Sequence, residues 1–238
     1  MDRLIAGAAA WGIDLTPGQV AQFEILRHEL LAWNQRMNLT AITDPDEVET
    51  RHFLDSLTVS LAFPEGLGPG ARLLDVGSGA GFPGIPLKIV HQWVSLVLLE
   101  ATRKKAAFLE HVVNRLNLSD VRVVAERAED AARQPQHREA YQVVAARALA
   151  PLPTVVELTL PFCALGGVVV AQAQGDIGAA LERVSKTVAR LGGRVRECRP
   201  VAVPGLDGGR ALVISEKVVP SPEAYPRRAG VPAKRPLA

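Results

Sequence analysis

The sequence predicts an α/β fold, in which helices alternate with the strands of a mostly parallel seven-stranded sheet whose last strand is antiparallel. Two patterns support this prediction. Short apolar runs bounded by turn residues recur through the middle of the chain, and helical patterns separate them. The first run ends in a glycine-rich turn, and the second ends in an acid, Glu100. Such alternation is typical of parallel sheets with helices on both faces.

Length and composition limit the class of protein. The chain has 238 residues, of which 48% are hydrophobic, enough for one α/β domain with an extension. No apolar run approaches the ~20 residues of a membrane span, and no secretory signal is recognisable, so we expect no membrane contact. The only cysteines, Cys163 and Cys198, have no metal-binding spacing. We therefore expect no metal site and a reducing, cytoplasmic location. We also expect a monomer.

Residues 1–68 are predicted to be a helical extension. Thr16 and Gln19 form a capping box before an amphipathic helix over about residues 17–36. Asn38 and Thr40 follow the helix, where such residues form caps and turns or line a ligand face. Turn-rich residues 64–70 separate this extension from the sheet domain, residues 69–219.

A second helix, predicted to restart near Thr43, carries Arg51, His52 and Asp55. Residues three and four positions apart share one helix face, so these side chains lie on one side. Two interpretations remain open at this point. The face is either solvated and locally paired, or a polar cluster over the mouth of the sheet domain.

The glycine-rich turn, from Asp75 to Gly84, is predicted to bind a nucleotide-type cofactor. Gly77, Gly79 and Gly81 let the backbone approach a ligand closely, and Asp75 stands where its carboxylate can face that ligand. The pattern also matches the dinucleotide fingerprint, but two following prolines disfavour the helix start that a pyrophosphate needs. The Asp-x-Gly-x-Gly-x-Gly spacing instead resembles the S-adenosylmethionine (SAM) loop of methyltransferases. A turn without any ligand is the third interpretation.

Further candidates lie at the ends of the later strands. Glu100 ends the second strand, where an acid accepts hydrogen bonds from ribose hydroxyls of an adenosine cofactor. Ala128 and Glu129 follow the third strand, where adenine is usually contacted. Arg147 ends the fourth, and a buried arginine there is costly unless it meets an anion.

Charge is unevenly distributed. Residues 1–70 have a net charge of −6 and residues 71–238 a net charge of +8, which is compatible with a nucleic-acid partner. Arg103, Lys104 and Lys105 crowd the first turn of a helix predicted to start at Thr102, where positive charge opposes the helix dipole. They face either solvent or a phosphate backbone. Residues 220–238 form a proline-rich basic arm, either docked or reaching for a partner.

Together these motifs resemble the bacterial small-subunit ribosomal RNA guanine-N7 methyltransferases, the glucose-inhibited division protein B family. The resemblance covers nearly the whole chain. It rests on these segments: Trp33-Asn34 with Asn38-Leu39-Thr40, Arg51-His52 with Asp55-Ser56, Asp75 to Leu87, Arg147-Ala148, Gly209-Arg210, and the tail from Tyr225 to Leu237. The resemblance implies a Rossmann-like SAM-dependent methyltransferase fold, and as substrate one guanosine of 16S rRNA in the small ribosomal subunit.

The resemblance and the strand positions together give the candidate residues. Expected cofactor-binding residues are Asp75, Gly77, Gly79, Phe82, Glu100, Ala101, Thr102, Ala128, Glu129 and Arg147. Expected residues on the substrate side are Asn38, Thr40, His52, Asp55 and Arg147. Expected RNA-binding residues are Arg103, Lys104, Lys105, Arg210, Arg227 and Arg228.

Two departures from the family pattern are Gln174 in place of a lysine and Ala146 in place of a serine. If that lysine contacts RNA, the affinity is expected to be weaker here or to be compensated by the tail. Two alternative functions also remain. One is SAM-dependent methylation of a small molecule or protein, and the other is SAM binding without chemistry in a regulatory protein.

Overall fold

The computed structural model describes residues 1–147, 150–175 and 177–237. Ala148, part of the motif after Arg147, lies outside the described residues. The strands are β1 (Arg72–Val76), β2 (Ser95–Leu99), β3 (Val121–Val124), β4 (Tyr141–Arg147), β5 (Cys163–Gln174), β6 (Gly193–Val201) and β7 (Arg210–Lys217). The helices are α1 (Asp2–Ala9), α2 (Pro17–Asn34), α3 (Pro45–Val48), α4 (Asp55–Leu57), α5 (Gly84–Val90), α6 (Arg103–Arg115), α7 (Ala128–Ala131), α8 (Leu152–Thr159), α9 (Gly178–Arg190) and α10 (Val231–Lys234).

The described part of the chain also contains one π-helical segment and two 3-10 segments. A π-helical turn, Glu49–Leu54, joins α3 to α4, and 3-10 turns follow α4 and α8 at Thr58–Ala62 and Leu160–Phe162. The second predicted helix of the extension is therefore one continuous run of changing pitch. Among the described helices, none is both long and apolar enough to cross a membrane.

The seven strands form one sheet in the order β3-β2-β1-β4-β5-β7-β6. β1 to β5 are parallel, and β7 is antiparallel to both of its neighbours. This confirms the predicted fold class. The order of the strands reverses at β1, so β1 and β4 lie side by side and their carboxyl ends form the crevice where such sheets bind ligands.

Both faces of the sheet are covered, as the near-continuous apolar strands require. Leu73 packs on one face against the N-terminal helices, α5 and α6. Leu74, its neighbour, packs on the other face with side chains of α7, α8 and α9. Because the N-terminal helices share the first cluster with the sheet, they are fixed relative to the strand ends.

The end of α2 is set by one side chain. The predicted capping box at Thr16 and Gln19 is present, but the helix ends at Asn34, about two residues earlier than predicted. Asn34 Oδ1 accepts hydrogen bonds from the N–H groups of Leu39 and Thr40, at 2.8 and 3.0 Å, and Nδ2 donates to the Thr40 carbonyl. These bonds replace the helical ones and turn the chain toward the carboxyl ends of the strands.

The C-terminal arm, residues 220–237, is docked on the sheet domain. Arg227 donates three hydrogen bonds, one from its backbone N–H and two from its guanidinium, to the carboxylate of Glu157, which is fully buried in α8. Leu237 is buried in the second apolar cluster. Of the two possibilities left open by the sequence, the structure shows the docked one, and the arm includes the short helix α10.

Candidate active site

A cavity of about 550 Å³ lies over the carboxyl ends of β1, β2 and β4, and we call it the loop cavity. The turn after β1 forms its floor. Gly77 and Ser78 both donate backbone hydrogen bonds to the Leu99 carbonyl, at 2.8 and 3.1 Å, which fixes the turn to the end of β2. Gly77 has a φ of 71°, a left-handed conformation that a side chain would disfavour.

Glu100 lines the loop cavity and fixes the position of the glycine turn. Its Oε2 accepts a hydrogen bond from Gly79 N–H at 3.0 Å, and its Oε1 accepts one from Thr102 N–H at 2.7 Å. The carboxylate therefore holds the glycine turn and the start of α6 together. Each oxygen keeps a second lone pair, so the side chain can still accept hydrogen bonds from a ligand in the cavity it lines.

Asp75 lies beneath the loop cavity rather than in its wall. Its side chain is fully buried, and Oδ2 accepts a hydrogen bond from Gly84 N–H at 2.9 Å. Oδ1 has no hydrogen-bond partner among the described residues. Burial raises the pKa of this carboxyl to about 7. Asp75 was predicted to face the ligand, but its carboxylate does not line the cavity, because the tight turn to Gly84 encloses it; its role toward a ligand stays a prediction.

The far wall of the loop cavity combines α7 with the C-terminal arm. Ala128 and Glu129 line it, as do Gly230 and Ala233. Glu129 is buried, and its Oε1 accepts a hydrogen bond from Gly230 N–H at 2.8 Å. The arm therefore completes the cavity, a contribution that the sequence did not predict.

A buried ion cluster lies beside the loop cavity. Arg147 Nη1, at the end of β4, donates to Asp55 Oδ2 at 3.0 Å, and Arg210 Nε, at the start of β7, donates to Asp55 Oδ1 at 3.2 Å. One carboxylate thus compensates two guanidinium groups. Burial lowers the pKa of Arg147, whereas the Asp55 carboxylate acts in the opposite direction. Isolated, either arginine would be costly at this depth.

His52 links this cluster to the loop cavity. Its ring stacks on Phe82, with centroids 4.6 Å apart and an interplanar angle of 10°. Nδ1 lies 3.2 Å from Arg147 Nη2, and Nε2 lies 2.8 Å from Thr40 Oγ1. Because a guanidinium only donates, Nδ1 must accept and the proton sits on Nε2. Burial and the charge of Arg147 lower the pKa of His52 to about 3, so the ring is neutral at physiological pH.

A second cavity, of about 810 Å³, opens on the other side of Arg147, and we call it the arginine cavity. Asp55, Arg147 and Arg210 line its polar end. Apolar residues of the α8 and α9 starts form the opposite wall, among them Leu152 and Ile177. The two cavities share Arg147 and Ala150 and therefore adjoin each other.

The structure brings most of the predicted site residues together. Lining the loop cavity are Gly77, Gly79, Phe82, Glu100, Ala101, Ala128, Glu129 and Arg147, with Thr40 and His52. Thr102 does not line it and contributes through its backbone N–H only. Asn38 is exposed, lines neither cavity, and makes no side-chain hydrogen bond to the described residues. The structure therefore separates Asn38 from the cluster, because Asn34 rather than Asn38 organises that loop.

The predicted RNA-binding residues occupy different environments. Arg103, Lys104 and Arg228 are exposed, and Lys105 is half-buried at the wall of the loop cavity. Arg210 belongs to the ion cluster with Asp55. Their contact with RNA stays a prediction.

One important residue was not predicted from the sequence. Gln172 Nε2 donates to the Asp55 carbonyl at 2.5 Å and to Thr58 Oγ1 at 2.9 Å, which fixes the start of α4 against β5. Nothing in the local sequence around Gln172 marks it, because its partners are more than 100 residues away. Gln174, the departure from the family lysine, lines the arginine cavity and is exposed. No metal-binding group of three or more His, Cys, Asp or Glu occurs within the described residues.

Comparisons with known proteins agree on one family. The sequence profile described as rRNA small subunit methyltransferase G (GidB) matches residues 19–183. The protein named "Ribosomal RNA small subunit methyltransferase G" from Roseiflexus castenholzii is 50% identical, and the one from Dehalococcoides mccartyi (strain ATCC BAA-2100 / JCM 16839 / KCTC 5957 / BAV1) is 49% identical. Both matches cover all of this chain and all of the relative.

The solved structures show the fold. M. jannaschii TYW2 in complex with AdoMet matches with a TM-score of 0.53 and 13% identity, over 69% of this chain and 77% of that one. The fold is therefore that of Rossmann-like methyltransferases. With a family profile over most of its length and full-length relatives near 50% identity, the chain belongs to the rRNA small subunit methyltransferase G (GidB) family.

Proposed function

We propose that the protein transfers a methyl group from SAM to N7 of one guanosine in small-subunit rRNA. The observation that carries this proposal is the meeting of two cavities at Arg147. The loop cavity has the features of an adenosine cofactor site, and the arginine cavity is large enough for a nucleotide. The names of the full-length relatives supply the rRNA substrate class.

The residues of the loop cavity fit SAM. Glu100 can accept hydrogen bonds from ribose hydroxyls, and Ala128 and Glu129 lie where adenine is contacted in this fold. Asp75 Oδ1 is a buried acceptor without a described partner, and the acid is held directly below the glycine turn. A positively charged ligand above that turn would stabilise the carboxylate form of Asp75. When bound, SAM supplies an electrophilic methyl group on a sulfonium.

The chemistry of the cluster favours a nucleophile that needs no activation. His52 is neutral but donates its only ring proton toward Thr40 and accepts from Arg147, so neither ring nitrogen is available as a base. Both oxygens of Asp55 are bound by arginines. Guanine N7 carries a free lone pair and loses no proton on methylation. Positioning alone can then provide most of the rate enhancement.

Methylation at a pyrimidine carbon is not supported. That reaction needs a cysteine nucleophile, but neither Cys163 nor Cys198 lines either cavity. Burial raises the pKa of the Cys163 thiol to about 12, which suppresses the thiolate.

The arginine cavity supplies donors for an anionic or carbonyl-bearing substrate. Arg210 uses Nε to bind Asp55, and its terminal N–H groups have no partner among the described residues. They can bind a base carbonyl or a phosphate oxygen. The target guanosine must be splayed out of its stack to reach this position. An rRNA substrate implies a cytoplasmic protein, and we propose that location as well.

The test is to incubate the purified protein with methyl-labelled SAM and, in parallel, with small ribosomal subunits, naked rRNA or a protein extract. The proposal predicts label in one rRNA nucleoside and none in protein. Label in protein or in small molecules would support a different substrate class. SAM binding without label in any fraction would favour a regulatory protein that binds the cofactor and lacks the reaction.

A further inference from the structure

The outer face of the C-terminal arm forms a basic concavity of about 670 Å³. Its walls carry five positively charged side chains, which are Arg133, Arg227, Arg228, Lys234 and Arg235. No Asp or Glu lines it within the described part of the chain. Such a concentration of one sign in a concave surface attracts anions.

The five cations are not equivalent. Arg227 is engaged by the buried carboxylate of Glu157, and Arg133 donates to the Pro226 carbonyl. By contrast Arg228, Lys234 and Arg235 are exposed, and their side chains make no hydrogen bond or ion pair to the described residues. Only Arg227 has a carboxylate partner, so the other four charges are uncompensated within the described residues, and they repel each other until an anion binds.

The backbone that carries these charges is held in place from beneath. Thr154 Oγ1 donates to the Pro232 carbonyl at 3.1 Å, and Arg138 donates to the carbonyls of Ser221 and Tyr225. With the Arg227–Glu157 pair, these bonds fix both ends of the arm. A site whose geometry exists before binding costs less ordering entropy when its ligand arrives.

The concavity also adjoins the loop cavity. Gly230 lines both, and its N–H donates to Glu129 on the inner side. An anion bound on the outer side of Gly230 is thus separated from the loop cavity only by the backbone of the arm. Pro236, the neighbour of Arg235 in the arm, lines the arginine cavity, so a polyanionic chain with one nucleotide in the arginine cavity can reach the concavity along the arm.

We propose that this concavity binds backbone phosphates of the substrate RNA, with Arg228, Lys234 and Arg235 as the phosphate-binding side chains. The arm is then both a wall of the loop cavity and an RNA-binding element. This inference rests on the proposed rRNA substrate. It differs from the sequence expectation in that Arg227 holds the arm in place, whereas the residues near the C-terminus meet the RNA.

The test compares two double variants of equal charge change. Arg228→Ser/Lys234→Ser removes two cations from the concavity, and Arg190→Ser/Arg196→Ser removes two exposed cations that line neither cavity. Binding of an rRNA fragment that the wild type methylates is measured by fluorescence anisotropy at several salt concentrations. Log affinity falls as log salt rises, and removing one cation that binds a phosphate reduces the magnitude of that negative slope by about 0.7 to 0.9.

We expect the concavity variant to bind RNA at least tenfold more weakly, and the magnitude of its salt slope to be smaller by about 1.4 to 1.8. The control variant should show a smaller change in slope, and both variants should bind S-adenosylhomocysteine as tightly as the wild type. Equal slopes for all three proteins, with methylation by the wild type intact, would overturn this inference alone. Failure of the wild type to bind or methylate any rRNA would overturn the proposed function, and this inference with it.

Discussion

Replacing Asp55 by Asn tests the ion cluster most sharply. The substitution keeps the shape of the side chain and one oxygen acceptor, but leaves Arg147 and Arg210 without a compensating charge. The side chains are largely buried, with exposed fractions of 5% for Asp55, 13% for Arg147 and 16% for Arg210. Breaking a buried pair by removing one partner costs about 3–5 kcal/mol. Since Asn retains one acceptor, we expect a loss of about 3 kcal/mol.

For a chain of this length, that loss lowers the melting temperature by about 6–12 °C. Urea unfolding measures the free energy directly, and Arg210→Gln is the matched control because it leaves the Arg147–Asp55 pair intact. The double variant Asp55→Asn/Arg210→Gln should lose less free energy of unfolding than the two single variants together, by at least about 1 kcal/mol, since the side chains share one network. A loss below about 0.5 kcal/mol for Asp55→Asn, or strict additivity, would show that these three side chains do not form a buried, coupled network.

Three further predictions follow from single contacts. Because the pKa of Asp75 is raised from 3.8 to about 7 in the folded state, the folded protein retains this proton at higher pH than the unfolded chain does. The contribution of Asp75 to the free energy of unfolding therefore falls as pH rises from about 4 to 7 and then levels off. Urea unfolding at pH 4.5 and 7.5 should therefore show that the stability of Asp75→Asn relative to the wild type increases as pH rises. The same stability difference at both pH values would contradict the raised pKa of Asp75. His52, with a pKa of about 3, should show no proton uptake by NMR between pH 8 and 5, and its proton should lie on Nε2; a titration midpoint near 6.5 would be inconsistent with the buried contact to Arg147. Arg227→Met leaves the Glu157 carboxylate buried and unpaired, so hydrogen exchange of residues 221–237 should accelerate and stability fall by about 3 kcal/mol, whereas Arg228→Met, at an exposed position, should change stability by less than about 0.5 kcal/mol.

The fold was readable from the sequence because its signals are local. β1 ends at Val76, directly before the glycine-rich turn that the sequence predicts. The rules for parallel strands joined by helices restrict the sheet to a few possible orders, of which the structure adopts one. β5 is longer than its apolar core, because Cys163 and Gln174 extend it by pairing with β4 and β7 rather than by their own propensity.

The candidate site could be predicted only in part from the sequence, since its geometry depends on contacts between residues that are far apart in the chain. Arg147 and Glu100 stand at strand ends, which their positions in the sequence reveal. The salt bridge of Asp55 to Arg210 joins residues 155 positions apart, and the spacing of residues in the sequence does not predict it. Asp75 was expected to face the ligand, but the Gly84 N–H draws its carboxylate inward. An added Cβ at Gly84 would lie 2.8 Å from Asp75 Oδ2, so this enclosure depends on glycine.

The role of the arm was the hardest to foresee. Its proline and arginine content is typical of a flexible or partner-seeking tail. Docking depends on Glu157, a charged residue in an otherwise apolar stretch of α8 that becomes fully buried on folding. A buried carboxylate needs a partner, and Arg227 supplies it from 70 residues away.

The proposed mechanism depends on the shared wall at Arg147, which brings the methyl donor and one guanosine together. Nucleoside mass spectrometry of small-subunit rRNA after a single turnover with methyl-labelled SAM measures the outcome. The mechanism predicts that all label is in N7-methylguanosine at one position. It also predicts that Arg210→Gln, outside the loop cavity, lowers that yield at least tenfold with SAM affinity unchanged. Label on an exocyclic amine, on a pyrimidine or at scattered positions would contradict it.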